Sequence, residues 1–210
     1  MKRVLALPTA ALLFAILACA LPGSGPYLEP FDTDIDWATG QDDLSEAGVE
    51  DGRMVIRVLE SNYISWTWTD HVVEADAVIE VEAAQIGGPD ENAYGLLIRV
   101  DEDATQFYYF EVTGDGLVDI GYCMEDCDSA DTLIGGFVES DAVLQGAATN
   151  RLKVVTAGTK MSFYVNDVLI REVTDDRIAT SGTIGLIAES FDEAGVEVAF
   201  DNLKAEETAP

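Results

Sequence analysis

The sequence predicts an all-β protein, a sandwich or a barrel of antiparallel strands. Short runs rich in Val, Ile, Tyr, Phe and Thr recur from Phe31 to about Ala205, and clusters of Gly, Asn and Asp separate them. This pattern is typical of strands joined by tight turns. No amphipathic helical pattern and no long internal repeat interrupts it, so a helical bundle, a propeller or a solenoid is not expected. The 210 residues suffice for one domain with a sizeable core.

The strands can be assigned from the apolar runs. The clearest are, in chain order, Met54–Leu59, Tyr63–Thr69, Val72–Ala83, Tyr94–Val100, Gln106–Val112, Arg151–Thr156, Lys160–Val165, Val168–Val173, Thr183–Ala188 and Val196–Asn202. Apolar and acidic residues alternate in the third run, so Ile79 and Val81 are expected to face the core. Asn166-Asp167 lies between two apolar runs and predicts a two-residue hairpin turn with positive φ.

The charge of the chain limits the classes of molecule that are expected to bind it. Eleven Lys and Arg against 40 Asp and Glu give a formal charge of −29. Such a surface repels phosphate backbones and anionic lipid headgroups, so nucleic acid is not an expected partner. A hydrophobic content of 48% excludes a disordered acidic tail. Cations and neutral partners such as sugars remain compatible with this surface.

The N-terminus predicts export. Lys2 and Arg3 precede an apolar run, Val4–Ala18, that is shorter than the roughly 20 residues needed to span a bilayer. The arrangement is typical of a secretory signal peptide. Its end, Ile16-Leu17-Ala18-Cys19, resembles the bacterial lipobox, which implies cleavage after residue 18 and lipidation of Cys19. An ordinary signal peptide with a chance cysteine is the alternative.

The predicted organisation follows from that segment. Residues 1–18 form the signal peptide, and the Pro-, Gly- and Ser-rich residues 19–30 form a lipidated cysteine and a flexible tether. Residues 31–205 form the domain and 206–210 a short tail. We therefore expect a cell-envelope lipoprotein on the extracytoplasmic side of the membrane, with the lipid as its only membrane anchor.

Two further cysteines fit an oxidising compartment. Cys123 and Cys127 are four residues apart, and outside the cytoplasm such a pair is most simply a disulfide that closes a tight loop. A zinc site is the alternative, but it would need two more ligands, and the single histidine, His71, is distant in the sequence.

Several motifs together indicate a family. They are Gly87-Gly88-Pro89-Asp90, Tyr94–Arg99, Phe107–Val112, Gly114-Asp115-Gly116, Asn150–Val154, Phe163–Asn166, Gly185–Ala188 and Phe200-Asp201-Asn202. The series resembles the concanavalin A-like lectin/glucanase superfamily, near its laminin-G-like and 3-keto-disaccharide hydrolase domains. The resemblance covers roughly Phe31 to Lys204. It implies a jelly-roll β-sandwich of two antiparallel sheets whose concave face often carries a carbohydrate site.

Two acidic residues of the third run, Glu80 and Glu82, are candidate catalytic groups. Retaining glucanases of this superfamily carry a Glu-x-Asp-x-x-Glu motif, and Glu80-Val81-Glu82-Ala83-Ala84-Gln85 resembles it without its final acid. Glu80 and Glu82 share a strand face, as a pair of catalytic carboxyl groups would require. The alternative is a solvated strand face, since the chain is rich in acids. The sequence therefore assigns no catalytic residue and offers only Glu80 and Glu82 as candidates.

The aromatic residues predict a binding face. Phe107, Tyr109 and Glu111 alternate with Tyr108, Phe110 and Val112, and the resemblance assigns the second set to the core. The first set would then lie on the open face with Arg99 of the neighbouring strand, an arrangement that suits sugars. The alternative is a structural Arg99–Glu111 pair. Trp66 and Trp68 share a strand face, either as part of the ligand site or in the core.

Acidic residues near the two ends of the domain raise the possibility of a structural calcium ion. Asp32, Asp34 and Asp36 alternate, and Asp201 lies near the other terminus, where jelly rolls often pair their terminal strands. Calcium takes six to eight oxygen ligands, many of them without a sequence signature. A solvated acidic face is the alternative, and no other cofactor is expected.

These observations lead to three hypotheses of function. The first is a non-catalytic module that binds carbohydrate or another envelope ligand. The second is a glycoside-processing hydrolase, as the resemblance to 3-keto-disaccharide hydrolases and glucanases implies. The third is a structural or adhesion module for a protein partner, expected if loops fill the concave face.

Overall fold

A computed structural model describes residues 25–34, 36–125, 127 and 130–208. These residues form sixteen β-strands and no helix. The strands are β1 (Tyr27–Glu29), β2 (Gly40–Gln41), β3 (Ser45–Glu50), β4 (Arg53–Val58), β5 (Tyr63–Val73), β6 (Ala77–Gly87), β7 (Ala93–Val100), β8 (Gln106–Thr113), β9 (Leu117–Met124), β10 (Asp131–Thr132), β11 (Val138–Glu139), β12 (Asn150–Ala157), β13 (Lys160–Val165), β14 (Val168–Thr174), β15 (Gly182–Ser190) and β16 (Val196–Glu207).

The strands form two sheets in which every pairing is antiparallel. The nine-stranded sheet has the order β14-β13-β12-β6-β16-β4-β3-β2, and β1 pairs with β16. The seven-stranded sheet has the order β10-β9-β8-β7-β15-β5, and β11 pairs with β9. Consecutive strands form hairpins, and long connections bring distant strands together at β12-β6-β16-β4 and at β7-β15-β5, as in a jelly roll. The predicted all-β sandwich of two antiparallel sheets is confirmed.

The core lies between the inner faces of the two sheets. Ile79 and Val81 of β6 point into it, as the alternation of that strand predicts. From the other sheet come Tyr108, Phe110 and Val112 of β8. The Phe110 ring contacts Phe163 of β13 edge-on, with 5.3 Å between ring centroids. Aromatic contacts of this kind join the two layers beyond the burial of apolar area.

The hairpin turn between β13 and β14 is the predicted one. Asn166 and Asp167 have φ angles of 51° and 67°. Both residue types tolerate this left-handed conformation better than most others. The Asn166 carboxamide also accepts a hydrogen bond from the Arg151 backbone N–H over 2.9 Å, which fixes the turn against β12.

The predicted boundaries of the domain need correction at both ends. The sequence places residues 27–29 in the tether, but they form β1, which pairs with the C-terminal β16 from Tyr27 opposite Ala205. Residues 206 and 207, assigned to the tail, belong to β16. The backbone pairing and a stack between Tyr27 and His71, with centroids 4.0 Å apart, order this segment despite its Pro- and Gly-rich sequence.

The predicted signal peptide, residues 1–18, and Cys19 lie outside the described residues. Within the part of the chain that the structure describes, no helix is long and apolar enough to cross a membrane.

Candidate functional site

The outer face of the seven-stranded sheet carries a second apolar cluster. Phe107 and Tyr109 of β8 lie there, together with Leu97 of β7, Ile187 of β15 and Cys123 of β9. Tyr108, Phe110 and Val112 face the main core instead, so the predicted division of β8 between the two faces is confirmed. A sheet face buried on its outer side needs loops or neighbouring side chains to cover it.

These coverings leave a cavity of about 190 Å³. It is lined by Ile64, Phe107, Tyr109, Glu111, Asp119, Cys127, Ala130, Phe137, Ile187, Glu189 and Phe191. The volume lies below the roughly 300–1,000 Å³ of sites for drug-sized ligands, so the cavity fits one small chemical group rather than a long chain.

The sheet register brings three carboxyl groups to this cavity. Glu111 of β8 lies directly opposite Asp119 of β9. Glu189 of β15 is separated from them by β7, where Gly95 lies opposite Glu111 and Ala93 lies opposite Glu189. Since Gly95 and Ala93 carry little or no side chain, the two glutamates reach across β7 into a common space.

Burial dominates the electrostatics of Glu111. Its side chain is 3% exposed, and Oε1 has no hydrogen-bond partner among the described residues. Loss of hydration raises the pKa of this carboxyl well above its ordinary value, and the negative charges of Glu189 and Asp119 raise it further. The neutral form of Glu111 is therefore favoured.

The pKa of the Glu189 carboxyl is also raised. Burial and, second, the charge of Asp119 raise its pKa from 4.5 to about 7. Burying a carboxyl group without a cation beside it costs free energy. Two neighbouring carboxyl groups with raised pKa values are therefore unusual away from functional sites.

Asp119 is held by hydrogen bonds. It accepts one from the Thr132 hydroxyl over 2.7 Å and one from the Tyr109 hydroxyl over 3.2 Å. A side chain at Gly121, opposite Tyr109 in the register, would collide with the Tyr109 ring. Glycine at that position therefore lets the ring lie across β9 and reach Asp119.

Two phenylalanines and a disulfide shape the rim of the cavity. Phe137 and Phe191 meet edge-on with centroids 5.7 Å apart. Cys127 forms a disulfide with Cys123, whose Cα lies 5.0 Å away, so the predicted pairing is confirmed. The bond ties the wall that contains Cys127 to the end of β9.

The tryptophans lie beside the cavity. Trp66 and Trp68 are half-buried on the outer face of β5 and do not belong to the main core. Trp66 contacts Phe107 edge-on, with 5.7 Å between centroids. Both line a neighbouring depression of about 320 Å³, and Ile64 lines this depression as well as the cavity. The two hollows are therefore neighbours that share Ile64 in their walls.

The predicted place of Arg99 beside Glu111 is wrong, and so is the alternative Arg99–Glu111 pair. Arg99 sits in a β-bulge with φ of 53°, where the β7–β15 register shifts. The extra residue breaks the alternation of the strand. The guanidinium instead donates to the carbonyls of Ile178, Ala75 and Gly158 over 2.6, 3.0 and 2.5 Å. Arg99 is 4% exposed and joins loops at the other end of β7.

Glu80 and Glu82 share a face of β6, as predicted, but it is the outer face of the nine-stranded sheet. Glu80 lies 3.8 Å from the Arg151 guanidinium, and Glu82 accepts a hydrogen bond from the Asn202 carboxamide over 2.9 Å. The core separates them from the cavity, so they cannot act together with its carboxyl groups.

The predicted calcium ligands are not gathered. Asp32, Asp34 and Asp36 are exposed, and the terminal strands pair as expected. Among the described residues, however, no group of three or more His, Cys, Asp or Glu side chains, Asp201 included, is arranged to hold a metal ion.

Sequence reasoning missed two residues of the site, Asp119 and Glu189. Each alternates in its strand with core residues, Asp119 with Val118 and Ile120, and Glu189 with Ala188. That alternation places both acids on the outer face. It cannot distinguish an exposed acid from one beneath a covering loop.

Comparisons with known proteins agree with the fold. No protein-family profile matches the sequence, and a search of curated proteins finds no match. Among solved structures, the carbohydrate-binding module CBM66 from Bacillus subtilis is 18% identical with a TM-score of 0.65, and the alignment covers 82% of this chain and 96% of that one. A Bacillus licheniformis beta-glucanase is 12% identical with a TM-score of 0.62, covering 89% and 100%. A galectin-like protein of unknown function from Bacillus subtilis is 11% identical with a TM-score of 0.59, covering 86% and 94%. The described residues therefore have a jelly-roll β-sandwich fold like that of these structures, in agreement with the fold that the resemblance to the concanavalin A-like superfamily implies.

Proposed function

We propose that this protein is an exported, lipid-anchored module that binds carbohydrate without catalysis. The binding site is the outer face of the seven-stranded sheet. The observation that carries the proposal is the cavity on that face, which is lined by aromatic and carboxyl side chains and shares Ile64 with the neighbouring depression beside Trp66 and Trp68. Aromatic faces stack on the apolar faces of sugar rings, and carboxyl oxygens accept hydrogen bonds from hydroxyl groups.

Two further observations support this proposal. The structures of similar fold include a carbohydrate-binding module and glycosyl hydrolases. The disulfide between Cys123 and Cys127 suits a protein that folds outside the reducing cytoplasm. The cavity that remains beneath the covering side chains also favours a small ligand over the adhesion hypothesis, which expects loops to fill the face.

Binding is tested by presenting the full chain, kept in mild detergent, to a glycan array. Trp66→Ala should weaken retention of any bound glycan by about fivefold or more, since stacking on one ring contributes on the order of 1 kcal/mol or more. Tyr164→Ala is the matched control, because Tyr164 is a half-buried aromatic residue on the opposite outer face. No retention on any glycan, or equal losses in both variants, would argue against the proposal.

Anchoring is tested separately with labelled fatty acid in a bacterial host. We expect label on the wild-type chain and none on the Cys19→Ser variant. Label that persists in that variant, or its absence from both proteins, would refute lipidation at Cys19.

A hydrolase is the second candidate function, and the raised pKa values of Glu111 and Glu189 favour it. Hydrolysis of glycosides uses one protonated carboxyl as acid beside a second carboxyl group. The test is release of sugar from glucans and from a 3-keto-disaccharide. Activity that Glu111→Gln abolishes and Glu82→Gln leaves unchanged would establish this function in place of simple binding.

A further inference from the structure

The cavity is strongly acidic, and its described lining contains no cationic side chain. Glu111, Asp119 and Glu189 line it, and no Lys, Arg or His does so among the described residues. Its other described walls are aromatic or apolar. Any ligand that enters it therefore meets negative or potentially negative groups in surroundings of low dielectric, where charge interactions are strong.

One oxygen atom in the cavity lacks a partner. Oε1 of Glu111 is buried and accepts no hydrogen bond from the described residues. Buried polar atoms without a partner are rare in folded proteins, because each costs the free energy of its lost hydration. A ligand that donates hydrogen bonds and carries positive charge would remove this cost.

An ammonium group has the chemistry that these observations require. It donates three hydrogen bonds and carries one positive charge at a compact centre. Hydrogen bonds to ionised carboxyl groups are about twice as strong as neutral ones. The rings of Tyr109 and Phe107 line the same cavity, and aromatic faces attract cations. A metal ion fits less well, because the described carboxyl groups are not arranged to hold one.

We propose that the cavity binds the ammonium group of an amino sugar between Glu111, Asp119 and Glu189, with the rest of the saccharide lying towards Trp66. This inference rests on the proposed carbohydrate function and names the class of its ligand. It predicts preference for free amino sugars over N-acetylated or neutral sugars of the same linkage.

Proton release is the expected signature of this binding mode. The titratable groups that face one another in the cavity are Tyr109, Glu111, Asp119 and Glu189. Burial raises the pKa of both glutamates and of the Tyr109 hydroxyl. Without a ligand, the two glutamates are therefore protonated to a large extent at mildly acidic pH. A bound ammonium group favours the ionised carboxylates and expels protons, whereas a neutral sugar does not.

The test is titration calorimetry of the full chain in mild detergent. The probes are a short glucosamine oligomer, its N-acetylated counterpart, a neutral glucan of the same linkage, and a simple polyamine. We expect the glucosamine oligomer to bind at least about tenfold more tightly than either sugar control, as one charge-assisted hydrogen bond would provide. Its affinity should rise between about pH 5 and about pH 6.5, with proton release detected in buffers of different ionisation enthalpy.

A matched variant separates the site from the general attraction of a chain with a charge of −29 for cations. Glu189→Gln should lower the affinity for the glucosamine oligomer about tenfold. Glu74→Gln removes an equal charge from an exposed residue just beyond the far end of β5, roughly 30 Å along the strand from Ile64, and should change nothing.

The possible results separate the two proposals. If amino and N-acetylated oligomers bind equally well, amino-sugar recognition is wrong and carbohydrate binding stands. If no saccharide binds, both are wrong. Polyamine binding as tight as that of the glucosamine oligomer, or equal losses in Glu74→Gln and Glu189→Gln, would show attraction to charge alone and overturn the inference.

Discussion

The two outer faces of the sandwich hold acidic side chains in opposite surroundings. On the nine-stranded sheet, acids face cations: Arg57 lies 2.5 Å from Glu50 and 2.6 Å from Glu197. On the seven-stranded sheet, Glu111 and Glu189 are more deeply buried and face Asp119 instead. Half-exposed acids paired with cations keep the surface soluble and stabilise the fold only modestly. Buried acids without a cation destabilise the fold, which is typical of positions kept for a ligand or a reaction.

The largest expected effect is a fall in stability with rising pH that originates in the cavity. The pKa of Glu189 is 4.5 unfolded and about 7 folded, so the folded chain holds more protons between these values. The free energy of unfolding therefore falls as pH rises from about 4.5 to about 7, by roughly 3 kcal/mol at most for this residue. Chemical denaturation at a series of pH values measures this fall.

Glu189→Gln should flatten that dependence, whereas Glu82→Gln on the opposite face should retain it. If both variants keep the full pH dependence of the wild type, the charge of Glu189 is not buried as described.

The second largest expected effect is the loss of stability when the disulfide beside the cavity is removed. Cys127→Ser opens a very short ring, and the loop-entropy relation gives a loss of about 2 kcal/mol. Denaturant titration measures it, and mild reduction of the wild type should reproduce it. An unchanged midpoint in both experiments would show that the ring does not constrain the unfolded chain.

Glu111→Gln should stabilise the protein at about pH 8, by roughly 1–2 kcal/mol, because an amide avoids the cost of ionising a buried carboxyl. The melting temperature at that pH measures the gain. The matched change on the other face, Glu82→Gln, should stay within about 0.5 kcal/mol of the wild type. A lower melting temperature for Glu111→Gln would indicate an unseen partner for the carboxylate.

The smallest expected effect on stability comes from the ion pairs on the outer face of the nine-stranded sheet. Arg57→Met removes ion pairs that are partly exposed, and we expect a loss of about 1 kcal/mol at low salt. The loss should shrink in about 1 M salt, where the Debye length is about 3 Å. A loss that is independent of salt would instead reflect packing of the Arg57 aliphatic stem.

The sequence predicted the elements of the fold better than their limits. Period-two alternation placed Ile79 and Val81 in the core, and Asn166-Asp167 marked the hairpin, because both signals are local. The segment at Tyr27 was missed as a strand because its order comes from pairing with β16, nearly 180 residues away along the chain.

The site was predicted only in part. Alternation within one strand groups Phe107, Tyr109 and Glu111, and the family resemblance placed that group on the outer face. The prediction for Arg99 was wrong because Arg99 is itself the extra residue of a β-bulge, and that bulge is set by pairing with β15. Asp119 and Glu189 lie on strands that are not sequence neighbours of one another, so strand order alone brings them together.

By itself, the sequence determined the all-β class, the disulfide pair and the two alternating sets of side chains on β8, since each depends on residue type and short spacing. The resemblance to a known superfamily added the sandwich and the choice of which set faces the core. Only the tertiary structure decided which acids are paired and which are buried without a cation. A carboxyl group has the same intrinsic chemistry on both outer faces, and its pKa depends on the charges and solvent that the folded chain places around it.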